Sequence, residues 1–427
     1  MKYVIIGNSA AAVGAVEAIR KNDQEGSVTI VSKEPYHTYS RPLISYLLCG
    51  KTDEQRMKYR PDDFYEQNNV TFLGGKTAVH LDPEAKEVKL DDDSFLNYDK
   101  LLVATGSVPF VPPTEGIDCV KSKFSFMSLD DARELESALF QKARVLIVGA
   151  GLIGLKCAEG IADKVAEITV VDLAPRILPS ILDEKGSAMM QAHLEKRGLH
   201  FLLSDSVDSF SENFAVLKSG RTVPFDILVM AVGVRPNVSL VKDAGGLIER
   251  GIVTDAFCRT SLPDVYAAGD CAQSHDITTD TDRVLALLPN AYMQGETAGL
   301  HMTGEEKPHD HAIPMNAIGF FGLHIITAGS YDGTEILVTD KPACYKKLYV
   351  RDNKLVGFIL IGDIARAGIY TSLVRSQTPL DTIDFELICE KPQLMAFSRA
   401  YRAEKLGRKN ENHSGFDAFS KAQRADP

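Results

Sequence analysis

Residues 144–154 read Arg144-Val145-Leu146-Ile147-Val148-Gly149-Ala150-Gly151-Leu152-Ile153-Gly154. A short apolar run that ends in glycines at all three positions of G-x-G-x-x-G has few structural solutions. The run is a buried strand, and Gly149 makes a tight turn. Gly151 lets backbone approach a pyrophosphate, and Gly154 lets the next helix pack close to the strand. Leu152 and Ile153 open that helix, and Leu155 to Ile161 continue it. A second strand, Ile168 to Val171, ends at Asp172, at the spacing expected of an acid that bonds adenosine ribose hydroxyls. Such an acid repels a 2′-phosphate, although Arg176 nearby is a residue type that accepts one.

The chain carries a second, looser copy of this pattern. Lys2 to Ile6 is a buried strand, and Gly7, Ser9 and Ala12 hold the three fingerprint positions, with Ala10 between them. Val13 to Arg20 continues as a helix. Ser9 departs from the second glycine: it permits close approach less freely, but its hydroxyl can itself bond a phosphate. The next strand, Ser27 to Ser32, is followed by Lys33 and Glu34, and Glu34 is the expected ribose-binding acid. Tyr98 to Val103 runs as a strand into Ala104-Thr105-Gly106. Further on, Phe225 to Ala231 is a buried strand leading to Gly233-Val234-Arg235-Pro236-Asn237. After a turn at Ser261, Pro263 and Asp264 comes a short buried strand, Val265 to Ala268, then Gly269-Asp270, read as opening a helix. An acid placed there can accept hydrogen bonds from a polyol.

The fixed order of these motifs resembles the pyridine nucleotide-disulfide oxidoreductase superfamily over roughly residues 1–375. That resemblance implies an α/β fold with two Rossmann-like dinucleotide-binding domains and a C-terminal α+β interface domain. A discontinuous FAD domain would take residues 1–110 and 233–310. An NAD(P)H domain, 111–232, would be inserted after a linker marked by Pro109, Pro112 and Pro113, and 311–427 would form the interface domain and tail. It also implies FAD on the first fold, a nicotinamide dinucleotide on the second, where the position of Asp172 points to NADH rather than NADPH, and roles for single residues. Arg41 would pair with the FAD diphosphate, as guanidinium suits phosphate. Backbone near Val79 would meet the adenine, Ala104 to Gly106 would run against the cofactor, and the chain would cross back at Gly233. Gly269 and Asp270 would face the flavin, against which the helix opened by Pro289 would lie. Val70–Leu73, Thr77–His80 and Glu87–Leu90 alternate like antiparallel strands, as in the family's small meander. His80 reads as a structural turn residue.

Composition bounds the rest. A chain of 427 residues holds two or three domains. Seven dispersed cysteines with no C-x-x-C suit reduced thiols and a cytoplasmic setting. No redox pair stands where disulfide-using relatives place one; Arg41-Pro42-Leu43 occupies that region, and Cys49 reads as buried and inert. His309-Asp310-His311 reads as a solvated loop, with no metal. A net charge of −11 argues against nucleic acid, and no apolar run reaches membrane-spanning length. From Lys341 onward, however, 15 Lys+Arg stand against 10 Asp+Glu. Short strands follow Ile313, with a hairpin turn at Asp352-Asn353. Gln393 to Lys405 reads as an amphipathic helix with Leu394, Phe397 and Tyr401 on one stripe. Residues 408–427 are polar and read as a tail without a core of its own.

Without a redox dithiol, the electrons must pass to or from an external partner. Within the superfamily, the Ser40–Ser45 loop and the C-terminal region are most like the branch serving rubredoxin and nitrite reduction. The expected partner is a small iron–sulfur carrier of rubredoxin or ferredoxin type. Its usual acidity makes Lys346, Lys347, Arg399 and Arg402 a candidate docking surface. An NADH oxidase using O₂ and a flavin-containing binding module are the alternatives. No catalytic side chain is assigned, because hydride transfer between stacked rings needs none, and no oligomeric state is assigned.

Overall fold

The structure, a computed structural model, describes residues 1–407. Apolar, β-branched runs too short for helices make its first strands: β1 (Lys2–Ile6), β2 (Ser27–Ser32), β3 (Val70–Gly74) and β4 (Lys100–Val103). Helix α1 (Ala10–Asn22) crosses from β1 to β2, and α2 (Ile44–Leu48) lies in the long connection to β3. The chain then builds a second parallel sheet from β5 (Lys123–Phe124), β6 (Arg144–Val148), β7 (Glu167–Asp172), β8 (Leu199–Leu203) and β9 (Ile227–Met230). Its helices are α3 (Leu129–Ala138), α4 (Leu152–Ile161) and α5 (Glu184–Glu195). Only afterwards does β10 (Val265–Ala267) return to pair with β4, giving the order β10-β4-β1-β2-β3 in the first sheet. The second sheet runs β8-β7-β6-β9-β5. All neighbours in both are parallel. The two crossings between the sheets, Ser107–Pro109 and Val234–Pro236, pair with each other as an antiparallel ribbon.

Helix α6 (Leu288–Met302) packs backbone to backbone on α1. A Cβ on Gly14 would lie 2.3 Å from the Tyr292 carbonyl oxygen, and one on Gly295 would lie 1.9 Å from that of Ala11. Beyond it an antiparallel sheet of β11 (Met315–Phe320), β12 (Leu323–Gly329), β13 (Thr334–Lys341), β14 (Cys344–Arg351) and β15 (Lys354–Ile361) is ordered β11-β12-β15-β14-β13. Asp352 and Asn353 both have positive φ, as a two-residue hairpin turn requires. Helix α7 (Ala367–Ser376) covers this sheet, and α8 (Arg399–Gly407) ends the described chain.

Several expectations are corrected here. Val70–Gly74 is not an antiparallel meander strand; it pairs parallel with β2, as a short edge strand half-buried on both faces. The meander consists of Ala78–Asp82, Glu87–Leu90 and Phe95–Asn97, and His80 lies exposed in its first strand rather than in a turn. The final helix starts later than expected, because the Ser398 hydroxyl accepts the Tyr401 N–H at 3.2 Å and acts as a cap. Leu394 therefore falls outside the helix and is exposed, while Phe397 stacks on Tyr401 at 5.0 Å. The tail expected for 408–427 lies outside the described residues.

The C-terminal sheet docks on the second fold through Asp183, which caps α5 by accepting the Gly186 N–H at 2.8 Å. The same carboxylate accepts from the Tyr345 hydroxyl at 2.6 Å and pairs with Lys347 at 3.0 Å. Burial pushes its pKa up, but these three donors outweigh burial and hold it below the usual carboxylate range. A depressed pKa contributes stability that is present above the unfolded value and lost as pH falls through the folded one. Asp183→Asn should thus lower the urea midpoint at neutral pH by an amount equivalent to about 2 kcal/mol. That gap should be full above about pH 5 and close on further acidification. A gap independent of pH would refute this assignment.

Candidate functional site

In the first fold, Gly7 has φ +121° and donates its N–H to Val31 at 2.8 Å. A Cβ there would lie 2.1 Å from the Ala104 carbonyl oxygen, so β1 and β4 meet at this turn only because residue 7 is glycine. Ser9 is the N-cap of α1, yet its side chain makes no capping bond, which leaves the hydroxyl for a ligand. Ala10 and Ala12 are buried behind it. Thr105 donates to the Asn237 carbonyl at 2.7 Å, and Asn237 returns an N–H to Gly106. The strand Val234–Pro236, entered from Gly233, which also has φ +121°, is thereby held beside Ala104 to Gly106.

Gly269 and Asp270 do not open a helix as expected; they form a turn, with Gly269 at φ +82°. The Gly269 N–H is met by the Gln294 side chain of α6 at 2.8 Å, so the helix beside this turn is α6 and not a following one. Burial raises the Asp270 pKa, against the opposing charge of Arg41 and a hydrogen bond from Ser107. A half-buried carboxylate short of donors is what the hydroxyls of a ribityl chain would satisfy.

Glu34 and Arg41 are brought together, and toward each other. The Arg41 guanidinium pairs with Glu34 and also donates to the Tyr39 hydroxyl and to the Met127 carbonyl of the second fold. Tyr39 in turn donates to Glu34 at 2.6 Å and receives the Leu129 N–H. Glu34 thus holds Arg41 in place, a relation that the ribose assignment did not anticipate. Val79 is exposed, and a bulge between Ala78 and His80 leaves its peptide out of the ladder.

The second fold repeats the first turn closely. Gly149 has φ +117° and donates to Val171 at 2.8 Å, and a Cβ on it would lie 2.2 Å from the Ala231 carbonyl oxygen. Gly151 caps α4 with open space around it. A Cβ on Gly154 would lie 2.1 Å from the Gly149 carbonyl oxygen. Leu152 and Ile153, half-buried, form the first turn of α4. Asp172 ends β7 and accepts the Ala150 N–H at 2.6 Å and the Ala174 N–H at 2.7 Å, which fixes it against the glycine loop with lone pairs to spare. Arg176, just beyond, has a buried Nε without a partner.

Both cradles fit a dinucleotide, because each pairs a tight glycine turn at a strand end with an acid that still has acceptor capacity. The whole of residues 1–295 matches the pyridine nucleotide-disulphide oxidoreductase family, and residues 314–378 match the rubredoxin NAD+ reductase C-terminal domain. The chain belongs to the pyridine nucleotide-disulphide oxidoreductase family. It is an oxidoreductase that uses FAD and a pyridine nucleotide. A nitrite reductase [NAD(P)H] of Bacillus subtilis is 32% identical over 390 residues, 89% of this chain but 48% of that protein. The chain thus spans about half that relative's length. The NADH-dependent phenylglyoxylate dehydrogenase subunit epsilon of Aromatoleum evansii is 31% identical, with 89% and 92% covered. Among solved structures, the putidaredoxin reductase–putidaredoxin complex matches with a TM-score of 0.84 at 22% identity, covering 92% of this chain and 97% of that one. That likeness is one of fold.

Two groups expected elsewhere are repositioned by the structure. Lys346 is buried, its ammonium 3.4–3.5 Å from the Cys389 and Glu390 carbonyls, and Lys347 is paired with Asp183 and Glu335. Neither offers free charge to a partner, so the expected docking surface is reduced to Arg399 and Arg402, and Arg402 already donates to Met395. His309 is buried rather than solvated, and burial lowers its pKa to about 4; only Asp310 and His311 are exposed. Among the described residues no group of three or more acidic, His or Cys side chains could hold a metal, and no helix is long and apolar enough to cross a membrane. Cys49 is half-buried, its thiol 3.5 Å from the Tyr46 carbonyl. A surface cleft of about 720 Å³ lies apart from both cradles, and its charges are already paired, Arg259 with Asp255 and Lys100 with Asp264. Sequence reasoning missed Ser107 and Gln294, which the structure sets against Asp270 and Gly269.

Proposed function

We propose that this chain passes electrons between NADH and a small iron–sulfur protein of rubredoxin or ferredoxin type, with FAD between them and no redox disulfide. The observation that carries the reading is a rubredoxin-reductase type C-terminal domain following two complete nucleotide cradles in one chain. A relative from Clostridium acetobutylicum, described as NADH-rubredoxin oxidoreductase, is 25% identical over 389 residues and supports it. FAD, when bound, takes two electrons as hydride and can release them one at a time. The residues of the chain position and hold. Gly7, Ser9 and the start of α1 would take the FAD diphosphate together with Arg41, and Asp270 would take ribityl hydroxyls. Gly149, Gly151 and the start of α4 would take the NADH diphosphate, and Asp172 the adenosine ribose, favouring NADH over NADPH. The proposed domains are 1–110 with 233–310 for FAD, 111–232 for NADH, and 311–427 beyond.

One observation favours a second reading. A protein of Methanocaldococcus jannaschii described as NADH oxidase is 32% identical over 318 residues, 72% of this chain and 71% of that one. Anaerobic stopped-flow decides between them. Fast bleaching of the flavin by NADH, then fast reoxidation on adding rubredoxin or ferredoxin, is expected. Reoxidation by O₂ alone would transfer the assignment to the oxidase, and no bleaching by NADH would remove both.

A further inference from the structure

Helix α4 is apolar apart from Lys156 and Glu159, whose side chains are only 12% and 4% exposed. Neither contributes to the nucleotide cradle at the head of the same helix. The two pair with each other, and between them they reach two further elements. Lys156 Nζ lies 4.4 Å from the centre of the Tyr46 ring on α2, the helix that directly follows the Arg41-Pro42-Leu43 loop. It also donates to the Gly319 carbonyl at 3.2 Å and lies 5.6 Å from the Phe320 ring, at the end of β11. Glu159 Oε1 accepts the Phe321 N–H at 2.9 Å, and the same oxygen lies 3.7 Å from Lys51 Nζ, just beyond α2. The helices touch through backbone: a Cβ on Gly160 would lie 3.0 Å from the Ser45 carbonyl oxygen.

A purely apolar contact could bury this junction, but it would not fix its register. An ammonium has three donors in set directions, and here they are shared among a carboxylate, a carbonyl and a ring face. Buried ion pairs contribute little net stability and are best suited to specifying one arrangement over its neighbours.

We propose that Lys156, held by Glu159, is a positioning residue for hydride transfer. It sets the second nucleotide fold against the flavin-side helix α2 and the Gly319–Phe321 turn, and so fixes the spacing of the two reacting rings. This rests on the proposed function. The transfer it serves moves a hydride, two electrons and one proton, from NADH to the flavin, leaving NAD+; Lys156 gives and takes no proton.

The test is anaerobic stopped-flow of the FAD-loaded protein with NADH, comparing wild type, K156R and the double variant K156M/E159Q, which removes both charges together. In the double variant the limiting rate of flavin reduction should fall roughly tenfold or more, because a misplacement of the order of 1 Å is enough. The NADH dissociation constant from the same traces should change less than about twofold, and bound FAD should stay stoichiometric. The long-wavelength absorbance of nicotinamide stacked on flavin should weaken. In the cofactor-free protein, amide exchange in residues 44–50 and 318–322 should speed up. K156R should keep most of the rate. A double variant with the wild-type limiting rate, or one slowed without change in absorbance or exchange, would overturn the inference. If the double variant does not fold, E159Q alone decides: it keeps the hydrogen-bonding atoms, should slow reduction measurably, and refutes the proposal if it does not. Failure of NADH to bleach the wild-type flavin would instead refute the proposed function.

Discussion

Gly7→Val is expected to yield a protein that purifies colourless. At φ +121° residue 7 sits where side chains other than glycine's are strained, at a cost of about 1–3 kcal/mol. The added Cβ would also stand 2.1 Å from a backbone oxygen of Ala104, and forcing the strands apart costs about 1–3 kcal/mol more. Neither group can yield, because Ala104 is tied by its own N–H to Ile6 at 2.7 Å and Gly7 to Val31 at 2.8 Å. The turn must therefore move, and the diphosphate cradle with it. Bound FAD after gel filtration should drop to roughly a tenth of wild type or less, given losses of this size. Stoichiometric FAD in the variant would show that the first cradle is not where the flavin nucleotide is held.

The matching change in the second fold should separate the two halves of the reaction. Gly149→Val meets the Ala231 carbonyl oxygen at 2.2 Å and has φ +117°, so the local distortion is of the same size. The first sheet shares no strand with this turn, so the variant should remain yellow. Dithionite should still bleach it, while NADH should not, with an apparent dissociation constant raised by roughly a hundredfold or more. A colourless Gly149→Val protein would mean that the two folds are not independent binding units. Normal bleaching by NADH would place the donor elsewhere.

What could be read from the sequence was what is local. Gly149, Gly151 and Gly154 announce themselves because a strand-to-helix turn has strict steric demands at fixed spacing, and Val265 to Ala268 stands out as a short apolar run between turn residues, of which Val265–Ala267 forms the strand. Val70–Gly74 misled because a short edge strand half-buried on both faces, Phe72 against one core and Leu73 against another, gives no pattern that tells parallel from antiparallel pairing. Gly269-Asp270 misled because a glycine with positive φ and an acid also occur in plain turns. Partnerships across the fold were out of reach: nothing in the sequence says that Glu34 will hold Arg41 or that Gln294 will meet Gly269. Two signals were available and unread. Lys156 and Glu159, three apart in an otherwise apolar helix, can only be buried as a pair. Lys346 and Lys347, adjacent in a strand, point to opposite faces and cannot form one surface patch.

The first sheet is interrupted by the second, and this has a consequence for synthesis. As the chain leaves the ribosome, β1 to β4 emerge first, yet β4 remains an edge and α1 lacks its partner helix until residues 265–302 appear. The second sheet, by contrast, is complete once β9 has emerged. The domain begun first is therefore the one finished last: its nascent strands wait, unpaired on one side, while some 160 further residues are translated. The ribbon formed by residues 107–109 and 234–236 can close as soon as the insert has folded, bringing the two halves of the unfinished sheet to one place before its last strand arrives.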